Sequence, residues 1–278
     1  MDSRRELPTP YALIDAFTAE PFRGNPAAVC WLDAPRSDDW RRSVAAEMNL
    51  SETAFIEPQA DGFGLRWFTP TVEVPLCGHA TLASAHLLYS TGRLGRDRPA
   101  RFHTRSGLLT ARMDGSRIVL DFPAFASQTA SAPRALVEAV GVTPIETLRV
   151  DRPGTDPGWI LVLEDEATVR RATPAFGAMR AAAPDSVVLT APPTAESRAL
   201  GVDFVSRYFA PGHGIDEDPV TGSAHCMLAP YWARRLGRDR MHAYQASARG
   251  GHLFLALRDG RVELAGDAVT LAEGRILV

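Results

Sequence analysis

The residues best suited to chemistry stand at two places in the chain, Cys77-Gly78-His79 and Asp218-Pro219-Val220-Thr221-Gly222-Ser223. Each run leads into an apolar stretch. In the first, residues 80–88 leave almost no polar face, so the stretch reads as a helix buried on all sides. The first turn of a helix carries backbone N–H groups with no partner inside the helix, and with the helix dipole they bind an anion. Gly78 and Gly222 allow a ligand close to that backbone, which points to a carboxylate at the helix starts. The glycines alone would equally suit tight turns, and their duplication is what favours the anion site. The neighbouring side chains also have plainer readings. His79, Asp218 and Ser223 can each cap a helix or satisfy backbone. Cys77 is either a thiol activated by the helix start or a small packing residue.

The elements that must position these residues occur twice. Phe68-Thr69-Pro70 precedes the first run and Phe209-Ala210-Pro211 the second, and Gly78 and Gly222 share an offset with Gly107 and Gly251 (222 − 78 = 251 − 107 = 144). In a chain of 278 residues this repeat is half the length. Two copies are too few for a solenoid, so the expectation is two similar lobes facing each other across a shared cleft. We place the N-terminal lobe at residues 1–125 and the C-terminal lobe at 126–278, joined through the Ala-, Ser-, Thr- and Pro-rich stretch 123–133, with the last strand free to return to the first lobe.

Strands are expected at 11–17 and 27–32 around the turn at Gly24-Asn25-Pro26, and at 53–56 and 65–68. Ser37 offers a cap for a helix running to about Met48, and Glu52 stands just before the next strand. The second half repeats this order with strands at 159–163, 186–189 and 204–209 and a helix from about Glu166. Hairpins turn at Asp114-Gly115 and Asp259-Gly260. Pro230 lies inside the second buried helix and cannot donate to the Cys226 carbonyl, so a kink is expected there. His86, His225 and Cys226 fall within the buried helices and read as core groups.

Composition excludes several classes. Hydrophobic residues at 45%, charged residues at 23% and a net charge of −3, with no long basic run, speak against nucleic acid and anionic membrane surfaces as partners. No window has the eighteen or so apolar residues of a membrane span. The first eight residues carry charges with no apolar segment after them, unlike a secretory leader, so a cytoplasmic protein is expected. Three cysteines far apart make no disulfide framework or metal knuckle, and the seven histidines show no HExxH. All thirty basic residues are arginine. Without lysine there is no Schiff-base nucleophile, no internal pyridoxal aldimine and no P-loop lysine. We therefore expect neither a metal nor an organic cofactor.

The runs Asp15-Ala16-Phe17-Thr18 with Gly24-Asn25-Pro26, Met48-Asn49-Leu50-Ser51-Glu52-Thr53, Phe68-Thr69-Pro70 with Cys77-Gly78-His79-Ala80-Thr81, Glu217-Asp218-Pro219-Val220-Thr221-Gly222-Ser223-Ala224-His225 and Tyr244-Gln245-Ala246-Ser247-Ala248-Arg249-Gly250-Gly251 closely resemble the phenazine-biosynthesis PhzF family, in order, from residue 11 to about 270. The resemblance implies an α+β, diaminopimelate-epimerase-like fold of two pseudo-equivalent lobes, each a β-sheet wrapped around a central buried helix, and a homodimer. In the wider superfamily one cysteine per lobe acts as acid and base. Here Cys77 is kept, Pro219 is read as its counterpart, and a two-thiol racemase is not expected.

Glu52 matches the glutamate to which the PhzF isomerase's proton transfer is attributed. In a dry cleft its carboxyl would have a raised pKa and could take and return a proton. The same matching gives His79 and Asp218 to the catalytic set and Gly78, Gly222 and Ser223 to the substrate carboxylate. The resulting expectation is a cofactor-independent isomerase moving a proton within a small carboxylate-bearing metabolite. Two alternatives stand beside it: an epimerase or racemase using Cys77 with a different second base, and a non-catalytic small-carboxylate-binding protein.

Overall fold

The computed structural model describes residues 8–151, 157–182 and 186–278. Residues 1–7, read above against a leader, lie outside the described residues. In chain order the elements are β1 (Thr9–Ala16), β2 (Asn25–Trp31), α1 (Asp38–Met48), β3 (Thr53–Gln59), β4 (Gly62–Phe68), β5 (Glu73–Val74), α2 (Gly78–Ser90), β6 (Ala100–Thr104), β7 (Gly107–Asp114) and β8 (Arg117–Pro123). They continue with β9 (Ser127–Thr129), α3 (Arg134–Val140), β10 (Glu146–Val150), β11 (Gly158–Val162), α4 (Glu166–Arg171), α5 (Phe176–Ala182), β12 (Val187–Ala191), α6 (Ala195–Ala199) and β13 (Phe204–Ala210). After a 3-10 turn, Pro211–His213, come β14 (Ile215–Asp218), α7 (Gly222–Leu236), β15 (Arg240–Gln245), β16 (Gly251–Arg258), β17 (Arg261–Gly266) and β18 (Ala268–Ile276).

The chain divides into two compact units, Met1–Leu120 with Gly266–Val278, and Asp121–Ala265. The repeat is visible in their strand pairing. In the first unit β1–β2 is antiparallel, β2–β3 parallel, β3–β4 antiparallel, β4–β6 parallel, and β6–β7–β8 antiparallel, with β18 on the other side of β1. In the second, β10–β11 is antiparallel, β11–β12 parallel, β12–β13 antiparallel, β13–β15 parallel, and β15–β16–β17 antiparallel. A parallel pair needs a long crossover. The β4–β6 crossover carries α2 and the β13–β15 crossover carries α7.

These two helices are the cores of their units. All of α2 from His79 to Tyr89 is buried except His86, against β1, β2, β3, β7 and β18. A helix so enclosed can use no polar face, and its buried Thr81 and Ser84 hydroxyls turn back onto the Cys77 and Ala80 carbonyls. In α7, Trp232 stacks on Phe204 with ring centroids 5.1 Å apart, and its indole N–H donates to Thr190 Oγ1 at 2.9 Å. Burying a ring or a leucine of this kind stabilises the fold by about 1.5–3 kcal/mol.

Local signals behave as their chemistry requires. The Ser37 hydroxyl accepts from the Trp40 N–H to cap α1, and the second hairpin turns at Asp259-Gly260 as expected, whereas the first turns one residue later than expected, at Gly115-Ser116, because Asp114 pairs with Arg117. Pro230 leaves α7 unbroken. The Cys226 carbonyl that it cannot serve accepts instead from the Phe125 N–H at 3.0 Å. That amide belongs to the stretch read above as a joining segment, which also forms β9 against β10. Among the described residues no helix is long and apolar enough to cross a membrane.

Candidate active site

In the first unit the structure brings Glu52, Cys77 and His79 together. Glu52 immediately precedes β3, and Cys77 is the extended N-cap residue of α2. His79, the second residue of α2, is 4% exposed. Nε2 lies 3.5 Å from Glu52 Oε2. Nδ1 lies 3.1 Å from Asn25 Nδ2 and 3.6 Å from Cys77 Sγ. Burial holds the imidazole far below its ordinary range, at about 3, so the ring is neutral at physiological pH.

Glutamate, cysteine and histidine are donor types that zinc accepts, and here one donor atom from each lies within 4.8 Å of the others. As placed, the thiol lies nearest Nδ1, which also meets Asn25, and the carboxylate lies beside Nε2, so the two address different nitrogens of one ring.

Asn25 is fully buried at the start of β2, and the loop before it is built to place it. Gly24 has φ +63°, and a Cβ there would sit 2.1 Å from the Ala16 carbonyl oxygen, so only glycine fits. The buried Asp15 carboxylate accepts from the Phe22 N–H at 2.8 Å. The run Gly24-Asn25-Pro26 carried the signal, but spacing could not show that Asn25 meets a histidine 54 residues away.

The second unit holds a different constellation. Asp218 ends β14, and its carboxylate accepts a hydrogen bond from the Thr221 hydroxyl, Thr221 being the N-cap residue of α7. Gln245, fully buried at the end of β15, accepts from the Thr221 N–H at 2.8 Å and donates to the Asp218 carbonyl at 2.8 Å. Ser247 donates to the Pro219 carbonyl at 2.7 Å. At Gly250, with φ +67°, a Cβ would fall 2.1 Å from the Tyr244 hydroxyl. The run Tyr244 to Gly251 is therefore a clamp on the loop that carries Asp218, a role that its residue types alone did not reveal. Gly222 is buried as the first residue of α7 and Ser223 is half-buried as the second.

One correction follows. Pro219 is not the counterpart of Cys77; Thr221 is, because each is the N-cap residue of its unit's central helix and they share the 144-residue offset (221 − 77 = 144). Threonine has no acidic thiol either, so the objection to paired-thiol chemistry stands on the right residue.

The helix starts share a further property. Ser37, Asp165 and Thr194 cap α1, α4 and α6 with their side chains, whereas neither Cys77 nor Thr221 caps its helix in this way. The first-turn amides of α2 and α7 are thus left to a partner other than the usual capping oxygen.

Residues 14–274 match the family described as phenazine biosynthesis-like protein, PhzC-PhzF. An uncharacterized isomerase of Halalkalibacterium halodurans is 44% identical over 98% of this chain and 100% of its own. The crystal structure of a PhzF-family protein from Enterococcus faecalis superposes with a TM-score of 0.88 at 38% identity, covering 97% of this chain and 99% of the other. The fold extends to a hydroxyproline epimerase of Agrobacterium vitis, TM-score 0.64 at 10% identity over 99% and 94% of the two chains, a likeness of fold alone. The chain belongs to the PhzC-PhzF family of phenazine biosynthesis-like proteins, a family of isomerase-type enzymes with the diaminopimelate-epimerase-like fold.

Proposed function

We propose that the protein is a cofactor-independent isomerase that moves a proton within a small carboxylate-bearing metabolite, with Glu52 as general acid and base. The observation that carries this reading is the Glu52 carboxylate beside the buried, neutral ring of His79 at the start of α2. Glu52 removes a proton from an activated carbon and returns it to another carbon of the same molecule. His79 and Asp218 hydrogen-bond a hydroxyl or amino group of substrate. Amides at Gly78 hold a carboxylate, as do those at Gly222 and Ser223 in the second unit, with the Ser223 hydroxyl as a further donor. The protein is proposed to work as a homodimer.

A second reading is favoured by one observation: Cys77 Sγ lies 3.6 Å from His79 Nδ1, a thiol–imidazole pair of the kind that activates cysteine. In that reading the enzyme is an epimerase using Cys77.

A thermal-shift screen of the purified protein against small amino and hydroxy carboxylates, including a dihydro-hydroxyanthranilate, identifies the ligand. With that ligand, turnover in heavy water should place deuterium at the receiving carbon. Glu52→Gln keeps the shape but cannot take a proton, so it should bind nearly normally and lose about 10²- to 10⁴-fold in kcat. Cys77→Ala should keep most of the turnover. Full activity in Glu52→Gln together with none in Cys77→Ala would replace the first reading by the second.

A further inference from the structure

We propose that Asn25 is a positioning residue that fixes the tautomer of His79, so that the ring presents an N–H, and not a lone pair, to the Glu52 carboxylate. The functional meaning rests on the reading of Glu52 as acid and base; the tautomer itself does not.

An amide nitrogen donates and cannot accept. With Asn25 Nδ2 at 3.1 Å, His79 Nδ1 must offer its lone pair. A neutral imidazole has one donor and one acceptor nitrogen, so the proton lies on Nε2, the nitrogen 3.5 Å from Glu52 Oε2. Cys77 Sγ, 3.6 Å from the same Nδ1, acts in the same sense when its thiol donates. Asn25 from β2, Cys77 from the turn before α2 and Glu52 from the turn before β3 are the groups that hold the ring. Burial keeps the ring neutral, so its tautomer matters rather than its charge.

The consequence falls on Glu52. Nε2 makes no hydrogen bond where the ring stands, but a buried N–H 3.5 Å from a carboxylate oxygen still attracts the ionised form, the form that can take a proton from substrate. The other tautomer would set a lone pair against the carboxylate and favour protonated Glu52, a base already spent. The loop from Asp15 to Pro26, with its glycine that admits no Cβ and its buried aspartate, thereby gains a purpose: it delivers one amide N–H to one imidazole nitrogen.

The test is a long-range nitrogen–proton correlation spectrum of ligand-free protein, with the His79 ring assigned by its loss in His79→Gln. Near neutral pH the wild type should show a neutral ring with the proton on Nε2, and a proton on Nδ1 would overturn the proposal. In Asn25→Asp the introduced carboxylate accepts where the amide donated, so the proton should move to Nδ1. It should return to Nε2 in acid, when the introduced carboxyl is protonated and donates again. A merely structural role for Asn25 predicts a less stable protein with the wild-type tautomer at every pH, and that result would also overturn the proposal. If Asn25→Asp does not fold, the wild-type spectrum alone decides. The turnover of Glu52→Gln tests the acid/base reading separately, so failure of one is not mistaken for failure of the other.

Discussion

Acid should destabilise this protein well above the range in which carboxylates titrate, and two fully buried histidines carry a share of the effect that can be worked out; His86, lowered by burial and by Arg96, acts in the same direction. His79 and His225 are 4% and 0% exposed, and desolvation pushes them from 6.5 down to about 3 and about 4. The bond from His225 Nδ1 to the Thr221 carbonyl, 2.7 Å, opposes that shift but does not cancel it. Unfolding returns both rings to about 6.5. Below that pH the unfolded chain binds protons that the folded chain refuses, so stability falls as pH falls, by about 1.4 kcal/mol per unit per ring, until the folded pKa is reached. Between about pH 7.5 and pH 5 each ring should cost about 2 kcal/mol, about 4 kcal/mol together, against a total stability of about 5–15 kcal/mol.

Asp38 lies outside this window. Its hydrogen bond to Arg66 lowers it from 3.8 to about 2, so its contribution is present above 3.8 and is lost only as pH falls toward 2. Urea unfolding followed at several pH values measures the slope, and His225→Gln isolates one ring. Its amide can still donate toward the Thr221 carbonyl and accept from the Ser206 hydroxyl that lies 3.3 Å from Nε2. The variant should lose about 2 kcal/mol less than the wild type over the same interval. An identical fall in both would refute the assignment of the slope to a buried neutral ring.

Two further predictions concern the clamp and the donor set. Gln245→Leu strands the Thr221 N–H and the Asp218 carbonyl in a buried site, at about 1–3 kcal/mol for each group, so its urea midpoint should fall substantially. Because the thiol and carboxylate address different nitrogens of His79, activity should survive dialysis against a chelator; loss on dialysis with recovery on adding zinc would show that the ring turns to bind metal.

What could be read in the chain was whatever local chemistry determines. The largely apolar α2, the Ser37 cap and the glycine-bearing hairpin turns each follow from a few adjacent residues. The two helix starts were legible because the repeat displays them twice. What could not be read were partners chosen by the fold. Composition marked residues 123–133 as a joining segment. The three-residue β9 has no period to detect, and its pairing with β10 is decided by neighbours distant in sequence. The lost hydrogen bond at Pro230 was visible in the sequence, but the Phe125 amide that takes it was not. Glu52 and Asn25 stood in motifs, yet nothing in their spacing aimed them at opposite nitrogens of one ring.

The mistaken pairing of Cys77 with Pro219 shows how a repeat is best used. Motif likeness drew the comparison to the wrong residue, whereas the constant offset identifies Thr221, and it continues to Thr81 and His225 (225 − 81 = 144). These two have nothing in common as residue types. The Thr81 hydroxyl donates to the carbonyl of Cys77, and His225 Nδ1 lies 2.7 Å from the carbonyl of Thr221 and so must donate to it. Each side chain ties down the N-cap carbonyl four residues back, at the start of its unit's central helix. The two halves make the same hydrogen bond with different residues. The differences between the halves at Cys77 and His79 against Thr221 and Ser223 therefore lie on a framework held in common, so the imidazole beside Glu52 has no counterpart at Ser223.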